Sequence, residues 1–262
     1  MNKFYITSAI PYVNSKPHVG HCLEFGQADT IARYHKLLGE DVLLLSGGDE
    51  NALKNVQASE KAGRPIQEFI DENNLLFVDL VKKLNCGYGI WQKGSDRDDH
   101  YPASQKLWEH CDKAGDIYKQ KYKGLYCVGC EAFYEKDDLD ENGECVEHPG
   151  KKLEEVEEDN YFFKLSKYQD QILNLIESNE LEIIPEEKRN EVLSFVRGGL
   201  KDISISRSNA RAKNWGVPVP NDPNQKIYVW MDALNIYQSG VGFGWDDEKY
   251  KKWWPADLHV IG

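Results

Sequence analysis

Over its first 115 residues the chain alternates short β-rich apolar runs with longer segments whose apolar residues recur at helical spacing, and few folds accept that alternation. Phe4–Ile10 is rich in β-branched and aromatic residues and is closed by Pro11, which reads as a buried first strand. A turn over Asn14-Ser15-Lys16-Pro17 leads into a helical pattern from Val19 to Leu38. Phe25, Ala28, Ala32 and Leu38 share one face of it, and Gly39 supplies the stop. Asp41–Leu45 suits a parallel strand covered on both sides. Helices are expected over Leu53–Ala62 and Ile66–Leu84, a third strand over Tyr88–Gln92, and a helix from Asp99 to Ala114 closed by Gly115. These units predict an α/β fold: a Rossmann-like, doubly wound parallel sheet.

The character changes at Asp116. Short aromatic strands, a cysteine cluster and an acidic run mark an inserted small domain, with two helices expected near Lys167–Ser178 and Pro185–Val196. A strand over Lys226–Trp230, a helix after it and a strand over Leu258–Ile261 then resume the α/β rhythm. The expected organisation is residues 1–115 as the first half of the sheet domain, 116–224 as the insertion and 225–262 as the start of the second half. Ligand loops in such sheets leave the carboxyl ends of strands. Gly262 sits at such an end with no crossover after it, so the sequence is expected to stop before that domain is complete.

Net charge is -12, so the surface as a whole repels a nucleic acid backbone, and any such contact needs local basic patches. Much of the acid lies between Glu135 and Asp159 and reads as a solvated face. No stretch reaches the roughly 18 apolar residues of a membrane span. The N-terminus runs straight into a strand and lacks a signal-peptide core, which predicts a cytoplasmic protein. In that compartment six cysteines favour a thiolate metal site over disulfides.

Two motifs carry chemistry. His18-Val19-Gly20-His21 follows strand one at the start of a helix, which places two imidazoles on the first turn beside backbone N–H groups that attract anions. Such a site can stabilise charge building on an α-phosphate during nucleotidyl transfer, although two unrelated surface histidines would give the same letters. The second motif is Cys127-x2-Cys130-x14-Cys145-x2-His148, two knuckle-like pairs able to close a tetrahedral, structural zinc site. Gly129 and Gly143 permit its turns. Cys22, Cys86 and Cys111 read instead as buried apolar residues.

The run from Ile10 through Pro11, Tyr12 and Asn14 to His18, Gly20 and His21 resembles the "PYxNxxxHxGH" opening of class I aminoacyl-tRNA synthetases. Val229, Trp230, Asp232, Ala233 and Tyr237 resemble the "VWxDAxxxY" segment of the methionyl branch, and Asp202–Arg207 resembles its "D-(L/W)-x-I-S-R" element. The resemblance implies an enzyme that activates methionine with magnesium-bound ATP and loads it on tRNA(Met). It implies catalytic roles for His18 and His21, and ATP contacts from Asn14, His18, Gly20 and His21. Ile10, Tyr12, Trp230, Ala233 and Tyr237 would line a methionine pocket, with Asp49 pairing the substrate's ammonium. Aromatic walls suit a polarizable thioether. It also points to one zinc in the insertion. Arg207 is compatible with anchoring a phosphate or with a structural role. Two departures stand out: Asp49-Glu50-Asn51-Ala52 where the family often has "DEHG" or "DAHG", and Leu234-Asn235 where it often has Pro or a small residue.

Three rival readings make different demands. A synthetase for isoleucine, valine or leucine carries a far longer insertion than the about 110 residues here. A small HxGH nucleotidyltransferase needs neither the zinc set nor Trp230. A non-catalytic relative would keep the insertion to hold tRNA.

Overall fold

The computed structural model describes residues 2–127, 132–134, 139–150 and 153–261. Its centre is a four-stranded sheet in the order β11-β1-β2-β3, built from β1 (Lys3–Ser8), β2 (Asp41–Gly48), β3 (Ile90–Lys93) and β11 (Leu258–Val260), with every neighbouring pair parallel. Helix α1 (Val19–Leu37) joins β1 to β2, and α2 (Leu53–Lys61) with α3 (Ile66–Lys83) joins β2 to β3.

Strand side chains alternate between faces, and two adjacent pairs show the result. Ile6 and Leu44 pack under α1 with Ala28 and Ala32, while Tyr5 and Leu45 pack on the opposite side with Ile236, Val241 and Trp253. Both faces of the sheet are therefore covered, as the unbroken apolar run of β2 predicts. Phe25, Ala28 and Ala32 are buried as expected, whereas Leu38 sits at the helix end and is 59% exposed. The backbones of β2 and β3 approach closely at Gly47, where a Cβ would lie 2.1 Å from the Gln92 carbonyl oxygen.

After α4 (His100–Lys113) the chain enters antiparallel structure. The long strands β4 (Ile117–Cys127) and β6 (Glu154–Phe163) pair from Ile117↔Phe163 to Tyr126↔Glu154, flanked by β5 (Ala132–Tyr134) and β7 (Ile203–Ser204). Within the acid run Lys121 stands opposite Asp159 and Lys123 opposite Glu157, all four exposed, so cross-strand neighbours carry opposite charge. Helices α5 (Gln169–Glu177) and α6 (Glu186–Arg197) follow within a few residues of expectation. Trp108 of α4 packs with Ile205, Val217, Val219 and Ile227, which joins this region to the sheet domain.

One expected strand is overturned. β10 (Asp222–Ile227) ends before Trp230, pairs antiparallel with β8 (Ser206–Ser208) and β9 (Pro218–Val219), and takes no part in the parallel sheet. Val229–Ala233 is a short helix, α7, followed by α8 (Ile236–Ser239) and α9 (Asp247–Trp253). The expected division between residues 224 and 225 falls inside β10. No helix among the described residues is long and apolar enough to cross a membrane.

Candidate active site

The backbone of β2 continues past Gly48 into Asp49, which forms an isolated parallel bridge with Tyr12. The Asp49 N–H donates to Pro11 O at 2.9 Å, and the Val13 N–H donates to Asp49 O at 3.4 Å. Asn55 adds a third tie, its Nδ2 donating to the same carbonyl at 2.9 Å. Asp49 is only 7% exposed. Beside this bridge Ile10, Tyr12 and Ala233 pack in one apolar cluster with Ala52, Val229 and Tyr228. Ile10 also touches the cluster that contains Tyr237, whose hydroxyl is hydrogen-bonded by the Ile10 backbone. Burial pushes that phenol well above its usual pKa, so it stays neutral.

Trp230 is a correction: it stands on α7 rather than at a strand end, and it is 49% exposed. Trp230 and Ala233, three residues apart on a helix, share its face. The structure thus brings Ile10, Tyr12, Asp49, Ala233 and Tyr237 together, while Trp230 stands half-exposed on α7, three residues before Ala233.

The start of α1 is held by its own histidines. His18 is the N-cap, and its Nδ1 accepts from the Gly20 N–H at 3.1 Å; His21 Nδ1 accepts from the His18 N–H at 3.1 Å. This is a capping box made with imidazoles. Because each Nδ1 accepts, each ring carries its proton on Nε2, and the two rings lie 3.9 Å apart. Burial, followed by the neighbouring His18, lowers the His21 pKa against a smaller opposing effect of its backbone hydrogen bond. A Cβ at Gly20 would lie 2.9 Å from His18 Cε1, so the glycine also makes room for the folded-back ring. Asn14 lies in the preceding turn, half-buried.

A buried polar group missed by the sequence reading lies behind α7. Asn51 Nδ2 donates to Asp232 Oδ2 at 3.0 Å and to Gly94 O at 2.7 Å, and Asn51 Oδ1 accepts from the Tyr101 hydroxyl at 3.3 Å. His100 Nε2 lies 3.6 Å from Asp232 Oδ1. Next to it, Glu50 is fully buried; the Ser95 N–H and hydroxyl donate to its Oε2 at 2.9 and 2.6 Å, and burial raises its pKa. Only the "VWxDA" letters hinted at Asp232. Arg207 donates to Ser206 O at 2.7 Å and Ser204 Oγ at 3.0 Å and lies over the Tyr228 ring, which accords with a structural role.

In the antiparallel region, Cys127 closes β4, and a turn over residues 140–144 brings back Cys145 and His148. Asp140 Oδ1 accepts from the Asn142 and Glu144 N–H groups, and Gly143 takes φ +74°. The donor atoms of Cys127, Cys145 and His148 all lie within 4.8 Å of one another. His148 Nδ1 is 3.9 Å from Cys127 Sγ and 4.0 Å from Cys145 Sγ. Tetrahedral zinc spaces nitrogen and sulfur ligands by about 3.6 Å, so the set fits such an ion. Cys130 and Gly129 lie outside the described residues. Cys22, Cys86 and Cys111 are half-buried rather than buried.

The parallel sheet thus carries an HxGH-capped helix directly after its first strand. The family described as "tRNA synthetases class I (M)" matches residues 4–262, and the chain belongs to it. It is 45% identical to a methionine–tRNA ligase of Thermotoga maritima, over 99% of this chain and 41% of that protein. Identity to the methionine–tRNA ligase of Brucella suis is 42%, over 99% of this chain and 50% of that one. Among solved structures, Mycobacterium tuberculosis methionyl-tRNA synthetase in complex with methionyl-adenylate superimposes with a TM-score of 0.93 at 42% identity, covering 100% of this chain and 51% of that one. Its apo form gives 0.83 at 39% identity. The chain spans about half the length of the curated relatives it matches.

Proposed function

We propose that the chain forms part of a methionine–tRNA ligase. A methionine carboxylate oxygen attacks the α-phosphorus of magnesium-bound ATP, the bond to pyrophosphate breaks, and methionyl-adenylate forms. A ribose hydroxyl of tRNA(Met) then takes the methionyl group and releases AMP. The observation that carries this reading is the buried Asp49 carboxylate, bridged in register with Tyr12 beside an apolar cluster. Asp49 pairs the ammonium, while Ile10, Tyr12, Ala233, Tyr237 and, at the rim, Trp230 enclose the thioether. His18 and His21 offer Nε2–H donors at a helix N-terminus, and with Asn14 and Gly20 they hold the phosphates as charge builds. Positioning and charge stabilisation supply the catalysis.

Residues 116–224 act as the connective insertion, and Cys127, Cys145 and His148, with Cys130, hold one structural zinc that contributes folding energy. We place the protein in the cytoplasm with its tRNA. ATP–pyrophosphate exchange by the full-length protein, offered each amino acid in turn, tests the reading. Methionine alone should support exchange; exchange with another amino acid only, or with none, overturns it.

A further inference from the structure

The buried polar group behind α7 joins four parts of the chain. Asn51 comes from the loop after β2, two residues beyond Asp49. His100 and Ser104 come from the first two turns of α4, Asp232 from α7, and Ser239 from the end of α8. His100 and Ser239 are completely enclosed, Asp232 and Ser104 are 1% exposed and Asn51 7%. His100 Nδ1 lies 2.8 Å from Ser239 Oγ, and its Nε2 lies 3.3 Å from Ser104 Oγ as well as 3.6 Å from Asp232 Oδ1.

Helix α7 has five residues and no side-chain cap. A helix this short has no stability of its own and takes its orientation from tertiary contacts. Along a helix, Asp232 points about 200° away from Trp230, so the carboxylate grips α7 from behind while Trp230 and Ala233 face the candidate pocket. Burial raises the Asp232 pKa, and contacts with His100 and Asn51 oppose that rise.

We propose that His100 is a positioning residue for amino-acid binding: with Asn51 it clamps Asp232 and sets the rotation of α7, and hence the wall formed by Trp230 and Ala233. The inference rests on the methionine reading above. Its signature is selective, because the clamp joins Asn51 and Asp232, the chain neighbours of Ala52 and Ala233 in the amino-acid cluster.

The test is steady-state pyrophosphate exchange by the full-length protein. His100→Phe should raise KM for methionine by about tenfold or more, as expected when a buried carboxyl loses a polar neighbour, while KM for ATP stays within about twofold. His100→Gln, which keeps a donor near Nε2, should recover most of the loss. Should His100→Phe fail to fold, Asp232→Asn keeps the side-chain shape and carries the same prediction. Wild-type exchange with methionine separates this claim from the activity itself: if wild type does not use methionine, the functional reading fails. If it does, and the variants leave KM for methionine unchanged, shift both KM values together, or show no rescue by glutamine, the clamp is purely structural and the inference is overturned.

Discussion

Tyr12 and Asp49 are set side by side by main-chain hydrogen bonds, Asp49 N–H to Pro11 O and Val13 N–H to Asp49 O, with Asn55 Nδ2 donating to the same Asp49 carbonyl. The side chain proposed to cover the apolar substrate and the carboxylate proposed to pair its ammonium are thus held in register through the main chain. Asp49→Asn keeps the volume and removes a charge-assisted hydrogen bond, normally worth roughly 1.5–3 kcal/mol. Calorimetry on the full-length protein should show methionine binding weakened by about ten- to a hundredfold. Unchanged affinity would mean that the ammonium is held elsewhere.

Trp230, half-exposed on α7, should act on selectivity more than on charge recognition. Trp230→Ala opens an apolar wall, and discrimination between methionine and smaller aliphatic amino acids should fall by about tenfold, the scale of a methylene or two in a pocket. Competitive exchange assays measure this; an unaltered ratio of kcat/KM values removes Trp230 from the pocket.

Gly20 leaves room for the His18 ring, so Gly20→Ala should displace that imidazole and weaken ATP binding while sparing methionine. Nitrogen-detected NMR of the intact HxGH turn should find both histidines protonated on Nε2 at neutral pH, as their Nδ1 acceptor roles require. A Nδ1–H tautomer at either ring would contradict the imidazole capping box.

The pH response has a defined sign. The folded-state pKa of His21 is lowered, chiefly by burial, and that of His259 is lowered by the same cause. As pH falls through the ordinary histidine value of about 6.5, the unfolded chain takes up protons that the folded chain refuses, so stability decreases on acidification through that window. Urea midpoints compared at about pH 7.5 and 5.5 should show the loss, and His21→Gln with His259→Gln should make it smaller. A loss of the same size in the double variant would assign the effect to other groups.

Purified protein should contain about one zinc per chain, and Cys127→Ser should release it. The substitution should unfold the region around β4 and β6 and leave the parallel sheet largely intact, because small metal domains take their folding energy from the ion. Hydrogen exchange resolves the two regions. Well under half an equivalent of metal in wild type would remove the zinc assignment.

Much of this molecule was legible in one dimension, and the reason is periodicity. The strands β1 and β2, the helices α1 to α4 and the insertion's α5 and α6 follow local apolar spacing and stop signals, which need no knowledge of neighbours. The HxGH turn and the spacing of Cys127, Cys145 and His148 were readable for the same reason, since a helix cap and a metal knuckle are short-range geometries. The β4–β6 register was also latent there, in lysines and acids at alternating positions, but choosing it requires knowing that these two strands meet.

The segment Tyr228–Ala233 was decided by tertiary structure. Its β-rich letters suit a strand locally, and strand alternation would put Tyr228, Trp230 and Asp232 on one face. Such a face would hold a carboxylate among aromatic side chains. A helical turn instead sends Asp232 backward to Asn51 and His100, residues distant in sequence, and leaves Trp230 and Ala233 forward. Burying a charge is costly unless partners receive it, and those partners exist only once the β2–α2 loop, α4 and α7 have come together. The sequence by itself determined the sheet, the helix that caps with histidines and the spacing of Cys127, Cys145 and His148; the fold alone decided how Trp230 and Ala233 are set on α7, because Asp232 meets Asn51 and His100 through long-range contacts with no local signature.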